Sequence, residues 1–552
     1  MTLARTWSVG LAGVHGAMVD VEVDLSAGVP GVVLVGLPDA VVRQSVDRVR
    51  AAVVNAGGRW PLRRITIGLS PASMPKQGSG FDLALAAAVL AADGAVPADS
   101  VAGLVLLGEL GLDGSVRAVR GVLPAVLAAA RAGHRTVVVP AGNAGEAALV
   151  EGAEVLAAGT LAEVVAHLEG RSRLPRHTRP ALPPAPPGPD LGDVVGQPIG
   201  RRAVEVAAAG GHHLFLSGPP GAGKTMLAER LPGLLPALDE QAALEVTAIH
   251  SVAGTLPPDS PLVTRPTFES PHHSATMAAL VGGGSGLIRP GALCRAHRGV
   301  LFLDEAPEFP RAVLDTLRQP LERGSVTISR AGGAATFPCR AQLVLAANPC
   351  PCASAAGDAA CTCSPLERRR YQSRLSGPLL DRIDLRVDLP AVTRAAWLEA
   401  GTVPEPTAAV AGRVAQARAA AAARLSGTGL DVNSQVPGRL LRERWSPPRP
   451  ALRLVERALE RGALSVRGYD RVLRVAWPLA LPGVGRREAV AAASVPISLP
   501  QSHGAPACHR PLHLPRSPDR GKGMDHSRST AAGPIHSWLR LWRRSSEASL
   551  AC

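Results

Sequence analysis

Residues Gly218, Pro219, Pro220, Gly221, Ala222, Gly223, Lys224 and Thr225 form a G-x-x-x-x-G-K-T run. It follows an apolar stretch ending at Leu216 and opens an amphipathic segment, the strand, loop and helix context that a phosphate cradle requires. Glycines let successive backbone N–H groups curl round a β-phosphate. Lys224 then bridges β- and γ-phosphates, Thr225 ligates Mg²⁺, and the helix N-terminus adds its positive dipole end. Lysine occurs elsewhere only at 76 and 522, so a lysine kept here in an arginine-biased chain has a chemical reason. Further on, Val300 to Leu303 form a short apolar run that delivers Asp304 and Glu305 at its end. Alone, such a run is a common surface turn. Paired with the phosphate loop, it places Asp304 on the Mg²⁺ and Glu305 on the attacking water.

A third strand, Gln342 to Asn348, ends in an amide where a γ-phosphate sits if the strands are neighbours, making Asn348 a candidate phosphate sensor. Arg374 and Arg382 lie at a loop and strand boundary from which they could reach a nucleotide held by the next subunit, and a trans arginine is worth ~10³–10⁵ in rate. Arg467 sits on a helix with Arg471 and Arg474, suited to a γ-phosphate in cis or to an ordinary surface charge. Cys350, Cys352, Cys361 and Cys363 crowd into one window; four thiolates fit a closed, structural Zn²⁺ site, although the C-x-C spacing is tighter than usual. Free thiols and redox pairing are the alternatives, and four cysteines, leaving no open position, argue against a catalytic zinc.

Positioning these groups takes several domains. The chain has 552 residues, 46% hydrophobic and 19% charged, enough apolar material for large cores and against global disorder. Residues 1–170 alternate β-rich runs with Ala-rich helical stretches, an α/β unit with a mixed sheet. Residues 171–190 are Pro-rich and predict a semi-rigid linker without sheet or helix donors. Residues 191–390 predict an α/β core, 391–477 a small helical domain, and 478–552 an aberrant or disordered basic tail, with Pro478 ending the preceding helix. The alternative for the tail is a nucleic-acid or membrane-surface contact through Trp538, Arg540, Trp542, Arg543 and Arg544. Net charge is +14, but from Arg486 onward ten Lys/Arg against four Asp/Glu supply +6 of it, so the basic balance argues only weakly for DNA. Eight cysteines, no signal-peptide pattern and no apolar run long enough for a membrane span predict a soluble, cytoplasmic protein in a reducing compartment.

The segments GQPIGRRAVEVAAAGGHHLFLSGPPGAGKT, SPHHSATMAALVGGGSG, RPGALCRAHRGVLFLDEAPEF, LDTLRQPLERGSVTISR, RYQSRLSGPLLDRIDLRVDLP and SVRGYDRVLRVAW together resemble the magnesium-chelatase-like AAA+ ATPases, specifically the ComM/YifB competence-helicase group. The resemblance covers residues 1–477. It implies a ring-shaped, hexameric ATPase using ATP and Mg²⁺, moving on single-stranded or branched DNA and promoting branch migration during recombination of incoming DNA. It also implies that Asn348 is sensor 1, that Arg382 is the arginine finger with Arg374 as runner-up, and that Arg467 is sensor 2. The segment from Pro271 to Gly286 resembles the helix-2 insert of this branch, with its Gly-rich tip at the ring pore; its adjacent His272 and His273 are read as loop structure. A chelatase motor subunit that remodels a metal-inserting protein partner is the alternative function.

The N-terminal unit resembles the Lon-protease fold. A Lon-type protease needs a serine activated by a neutral lysine. The matching positions are Gly80 and Leu123, so neither half of the dyad is present, and nearby Ser79 and Lys76 form no evident substitute. Lys76 and Arg117 are weak candidates for DNA contacts.

Overall fold

The computed structural model describes residues 3–180, 188–257, 260–284, 288–330, 333–352, 361–392, 404–447 and 449–479. The tail readings at 480–552, the tip of the insert at 285–287 and the helix expected from RAAWLEAG lie outside the described residues.

The N-terminal unit is built on an eight-stranded mixed sheet. Its strands are β1 (Leu3–Ala12), β2 (His15–Ser26), β3 (Gly31–Val35), β4 (Arg64–Ser70), β5 (Val105–Leu106), β6 (Thr136–Pro140), β7 (Glu154–Ala158) and β8 (Arg176–His177), in spatial order β8-β7-β6-β5-β1-β2-β4-β3. Helix α1 (Ala40–Asn55) starts at Asp39, whose carboxylate caps Val42 N. Helix α2 (Asp82–Ala92) is apolar all round but for Asp82, and all its residues are buried, as such a helix must be. Helix α3 (Val122–Arg131) buries Val122, Leu123, Val126 and Ala129.

Two expectations fail here. The Pro-rich segment supplies sheet donors after all: Arg176 and His177 pair antiparallel with Leu156 and Val155, because the prolines flank this dipeptide and leave its N–H groups free. Lys76 is fully buried, with its ammonium donating to the Pro71 carbonyl, so it cannot meet DNA. Arg117 remains exposed.

The core is a five-stranded parallel sheet. It comprises β9 (Leu214–Ser217), β10 (Phe268–Glu269), β11 (Val300–Leu303), β12 (Gln342–Ala347) and β13 (Leu385–Asp388), in the order β10-β11-β12-β9-β13. Every residue of β11 and β12 is buried, which explains their unbroken apolar sequence. Helices α4 (Pro198–Gly210), α5 (Lys224–Leu234) and α6 (Glu240–Ala253) belong to this unit. Because the strands are parallel, their C-terminal ends share one edge, the usual place for a ligand site in such sheets.

After helix α7 (Pro365–Gln372), the chain forms the small helical unit with α8 (Thr407–Leu425), α9 (Arg449–Glu460) and α10 (Val466–Leu479). Val410, Val414 and Ala417 of α8 and Val472 and Val475 of α10 join one apolar cluster with Val204, Ala207, Leu227 and Leu231 of the core. Helix α10 runs through Pro478 instead of stopping before it. The ring removes one N–H donor and crowds the carbonyl four residues back, a cost set here against the packing of Val472, Val475 and Ala476 on the core.

The N-terminal unit is docked on α6. Gly121 N donates to Ser251 O at 3.2 Å, and the Ser251 hydroxyl donates to the buried Glu146 carboxylate. Glu146 also accepts from Asn143 Nδ2 at 2.7 Å and Leu123 N at 3.3 Å, and burial pushes its carboxyl up. Ala243, Ala248 and Leu262 pack beside Val122 and Val126.

Candidate functional site

The phosphate loop lies between β9 and α5. Gly221 and Gly223 adopt φ of +77° and +81°, the left-handed region that an L side chain resists, and the space beside both is open. Gly218 N donates to Ala347 O at 3.2 Å, fastening the loop to the end of β12. Lys224 is nearly buried; its Nζ donates to Gly218 O at 2.7 Å, Pro219 O at 3.0 Å and Asn348 Oδ1 at 3.0 Å. Burial lowers its pKa, opposed by Asp304 and Glu305.

Asp304 and Glu305 leave the end of β11 on the same edge. Thr225 Oγ1 donates to Asp304 Oδ2 at 2.8 Å, so a hydroxyl and a carboxylate oxygen sit side by side at a solvent-reachable position. Hard oxygen donors at a phosphate loop fit Mg²⁺, which keeps waters and takes few protein ligands. Glu305 has φ of +48°, uncommon for a side-chain-bearing residue. Its carboxylate oxygen Oε2 lies 3.2 Å from His273 Nδ1, and its own N–H donates to Asp304 Oδ1 at 2.9 Å.

Lys224, Thr225, Asp304, Glu305 and Asn348 are thus gathered by three strand ends. The three arginines are placed elsewhere. Arg382 bonds the Pro378 carbonyl and Glu322, and Arg374 Nη1 donates to Glu308 at 2.7 Å and to Pro307 O at 3.3 Å. Arg467 is mostly exposed and lies 3.5 Å from Asp381, whose backbone carbonyl takes Arg471 Nη2 at 2.9 Å. Next along, buried Asp384 accepts from Arg474 Nη1 at 3.3 Å and pairs with His212 Nδ1 at 2.8 Å, and it is held down to about 2 although burial alone would raise it. The segment 381–384 is therefore clasped by α10, with each of Arg467, Arg471 and Arg474 on one of its acids or carbonyls.

Sequence reasoning missed the partnership of His273 with Glu305. The adjacent histidines stood out, but as loop structure. It also missed the pairing of His212 with Asp384.

The sulfurs of Cys350, Cys352, Cys361 and Cys363 all lie within 4.8 Å of one another. Three of the separations are 3.2, 3.4 and 3.5 Å, against ~3.8 Å expected across a tetrahedral Zn–S₄ centre with ~2.3 Å bonds and ~2.05 Å for a disulfide. The cluster can hold a metal.

In the N-terminal unit, Gly80 has open space where a side chain would be, and Leu123 is fully buried. The Ser79 hydroxyl donates to Glu109 while Lys76 is spent on Pro71 O, so these two do not form a dyad.

Three family descriptions match the chain: magnesium chelatase subunit ChlI at residues 190–397, subunit ChlI of Mg-chelatase at 21–143, and the ChlI C-terminal region at 404–484. The Mycobacterium tuberculosis protein Rv2897c is 55% identical over 87% of this chain and 95% of its own length. Competence protein ComM of Haemophilus influenzae is 42% identical over 87% of this chain and 94% of its own, and YifB of Escherichia coli 40% over 87% and 93%. The chain belongs to the ComM/YifB group of magnesium-chelatase-like AAA+ proteins. Lon protease 2 of Bacillus subtilis is 32% identical over 25% of this chain and 26% of its own. The N-terminal unit is Lon-like, the core is the AAA+ domain, and ComM/YifB membership implies ATPase activity with ATP and Mg²⁺. Among the described residues no helix is long and apolar enough to cross a membrane.

Proposed function

We propose that this chain is an ATP-driven motor acting on DNA, promoting branch migration or strand separation during recombination of incoming DNA. The observation that carries the DNA assignment is the 42% identity, over 87% of this chain, to a relative named a competence protein.

In this reading the N–H groups of Gly221 to Thr225 and the Lys224 ammonium bind the phosphates of ATP. Thr225 and Asp304 would hold Mg²⁺, which supplies charge neutralisation between the β- and γ-phosphates. Glu305 orients the attacking water and accepts its proton. Asn348 contacts the γ-phosphate from the end of β12. Arg467 senses the same phosphate in cis, while Arg382 acts in trans on a neighbour's nucleotide in a homo-oligomer, a hexamer; Arg374 is the second choice for that role. The Lon-like unit lacks its dyad and serves binding or ring organisation. The four cysteines hold a structural Zn²⁺, and the protein works in the cytoplasm.

The chelatase reading has its own support, since all three matching family descriptions are of a magnesium-chelatase subunit. ATP hydrolysis by the purified chain, with and without single-stranded and branched DNA and with Glu305→Gln as blank, separates the two. DNA stimulation absent from the variant supports the DNA motor. Hydrolysis indifferent to DNA favours a motor that remodels a protein partner.

A further inference from the structure

Resting on the zinc reading of the four cysteines, we infer that the metal centre positions the γ-phosphate sensor: it seats α7, and through Tyr371 and Gln372 of α7 it fixes the peptide that carries Asn348.

The geometry runs in a closed circuit. Asn348 leaves the end of β12, and only Pro349 separates it from Cys350, which is buried. On the other side, Cys363 directly precedes Ser364, the N-cap of α7, where Ser364 and Glu367 form a reciprocal capping box. A metal held by Cys350 and Cys352 from the sensor side and by Cys361 and Cys363 from the helix side therefore ties the start of α7 to the segment that follows Asn348. The far end of α7 returns to the same segment. Gln372 Nε2 donates to Pro349 O at 3.5 Å, and beside it the buried Tyr371 hydroxyl lies near Glu308 and the Asn348 backbone. Just beyond, Arg374 reaches Glu308 and Pro307 O, three and two residues past Glu305. One short helix and the turn after it thus touch the segments carrying Asn348 and Glu305, and the start of that helix is fixed by the cysteines.

Residues 348 to 352 have no strand or helix of their own. Thiols hydrogen-bond weakly, so four of them in contact do little to hold this loop without a cation, whereas metal–thiolate bonds fix it firmly. The phosphate loop does not depend on the centre in this way. Lys224 keeps its bonds to Gly218 O and Pro219 O whatever Asn348 does. Metal occupancy therefore acts on turnover and leaves nucleotide affinity nearly untouched. Tyr371 and Gln372 are positioning residues.

The test uses the full chain purified with zinc in the medium, its metal content measured by mass spectrometry. Cys361→Ser/Cys363→Ser removes the two ligands remote from Asn348, and Tyr371→Phe/Gln372→Ala leaves all four in place. The expected content is about one zinc per chain, absent from the cysteine variant. That variant binds a fluorescent ATP analogue with a Kd within about threefold of the parent, yet its kcat is roughly 10- to 100-fold lower, the scale on which a misplacement of about 1 Å acts. Amide exchange at 343–350 rises in it. The Tyr371/Gln372 variant keeps its zinc and its Kd, with kcat lowered about fivefold or more by the lost contacts with the 348–349 peptide. Absence of zinc from the parent overturns the metal reading itself. Zinc present in the parent, lost from the cysteine variant and without effect on kcat or exchange leaves the metal reading standing and overturns the positioning role. If the cysteine variant fails to fold, the Tyr371/Gln372 variant decides, and unchanged kcat there overturns the inference.

Discussion

Lys224 Nζ and Asn348 Oδ1 lie 3.0 Å apart, so the phosphate loop and the end of the neighbouring strand are joined by a side-chain bond that spans 124 residues of sequence. Replacing the two partners has different consequences. Lys224→Ala removes a cation aimed into the cradle, and ATP binding measured by a fluorescent analogue is expected to weaken about 100-fold or more. Asn348→Ala leaves the cradle and its lysine in place, so affinity stays within a few-fold while kcat falls roughly 10- to 100-fold.

Glu305→Gln keeps size and backbone but cannot take a proton. Steady-state hydrolysis is expected to drop about 10²- to 10⁴-fold with ATP binding intact. His273→Ala frees Glu305 from its 3.2 Å partner and is expected to change kcat without changing ATP affinity. Equal loss in both would assign His273 to the loop's structure alone.

Asp384 is buried between His212 and Arg474, and so joins the core to the last helix of the small domain. Asp384→Ala leaves Arg474 without this partner and His212 without its acceptor. Denaturant unfolding is expected to register a loss of ~3–5 kcal/mol, the range for breaking one side of a buried pair. The loss is greater than for Asp381→Ala, whose contact with exposed Arg467 is worth ~1 kcal/mol or less.

Acid weakens the protein at a definable point. Burial holds His297 down to about 4 from 6.5, with Glu245 opposing, and its Nδ1 accepts the Arg340 N–H at 3.0 Å, a bond only the neutral ring can make. The folded chain binds this proton less readily than the unfolded chain. Its contribution is complete above pH ~6.5 and drains as pH falls from about 6.5 to about 4, on the order of 3 kcal/mol in all. His213, also near 4 through burial and accepting Leu343 N–H at 2.9 Å, adds to the same window. Stability measured across that range should decline, and His297→Gln should flatten the decline.

What could be read in advance follows from how locally each feature is encoded. The phosphate loop, the acids after β11 and the amide after β12 each sit in a few consecutive residues with their own apolar strand, and the sequence exposes them directly. Strand β1 is harder to read because Thr6 and Ser8 interrupt its apolar pattern. Both are fully buried, their hydroxyls spent on the carbonyls of Val101, Leu104 and Leu106, and only the folded sheet supplies those acceptors. The same holds for His212 with Asp384, 172 residues apart, and for the strand at Arg176, whose pairing comes from a neighbour. Pro478 misleads for the opposite reason: a strong local rule is overridden by the packing of α10 on the core, which its own sequence does not display.

The seam between the Lon-like unit and α6 has a consequence for anyone dissecting the protein. Ser251 and Glu146 meet there inside an apolar setting, so parting the halves uncovers both a greasy face and an acid whose chief neutral partner has gone. Cleavage in the proline-rich segment severs the tether and spares the joint. Two fragments divided there and produced together are expected to recombine into one particle, whereas either made alone carries a sticky wound and precipitates.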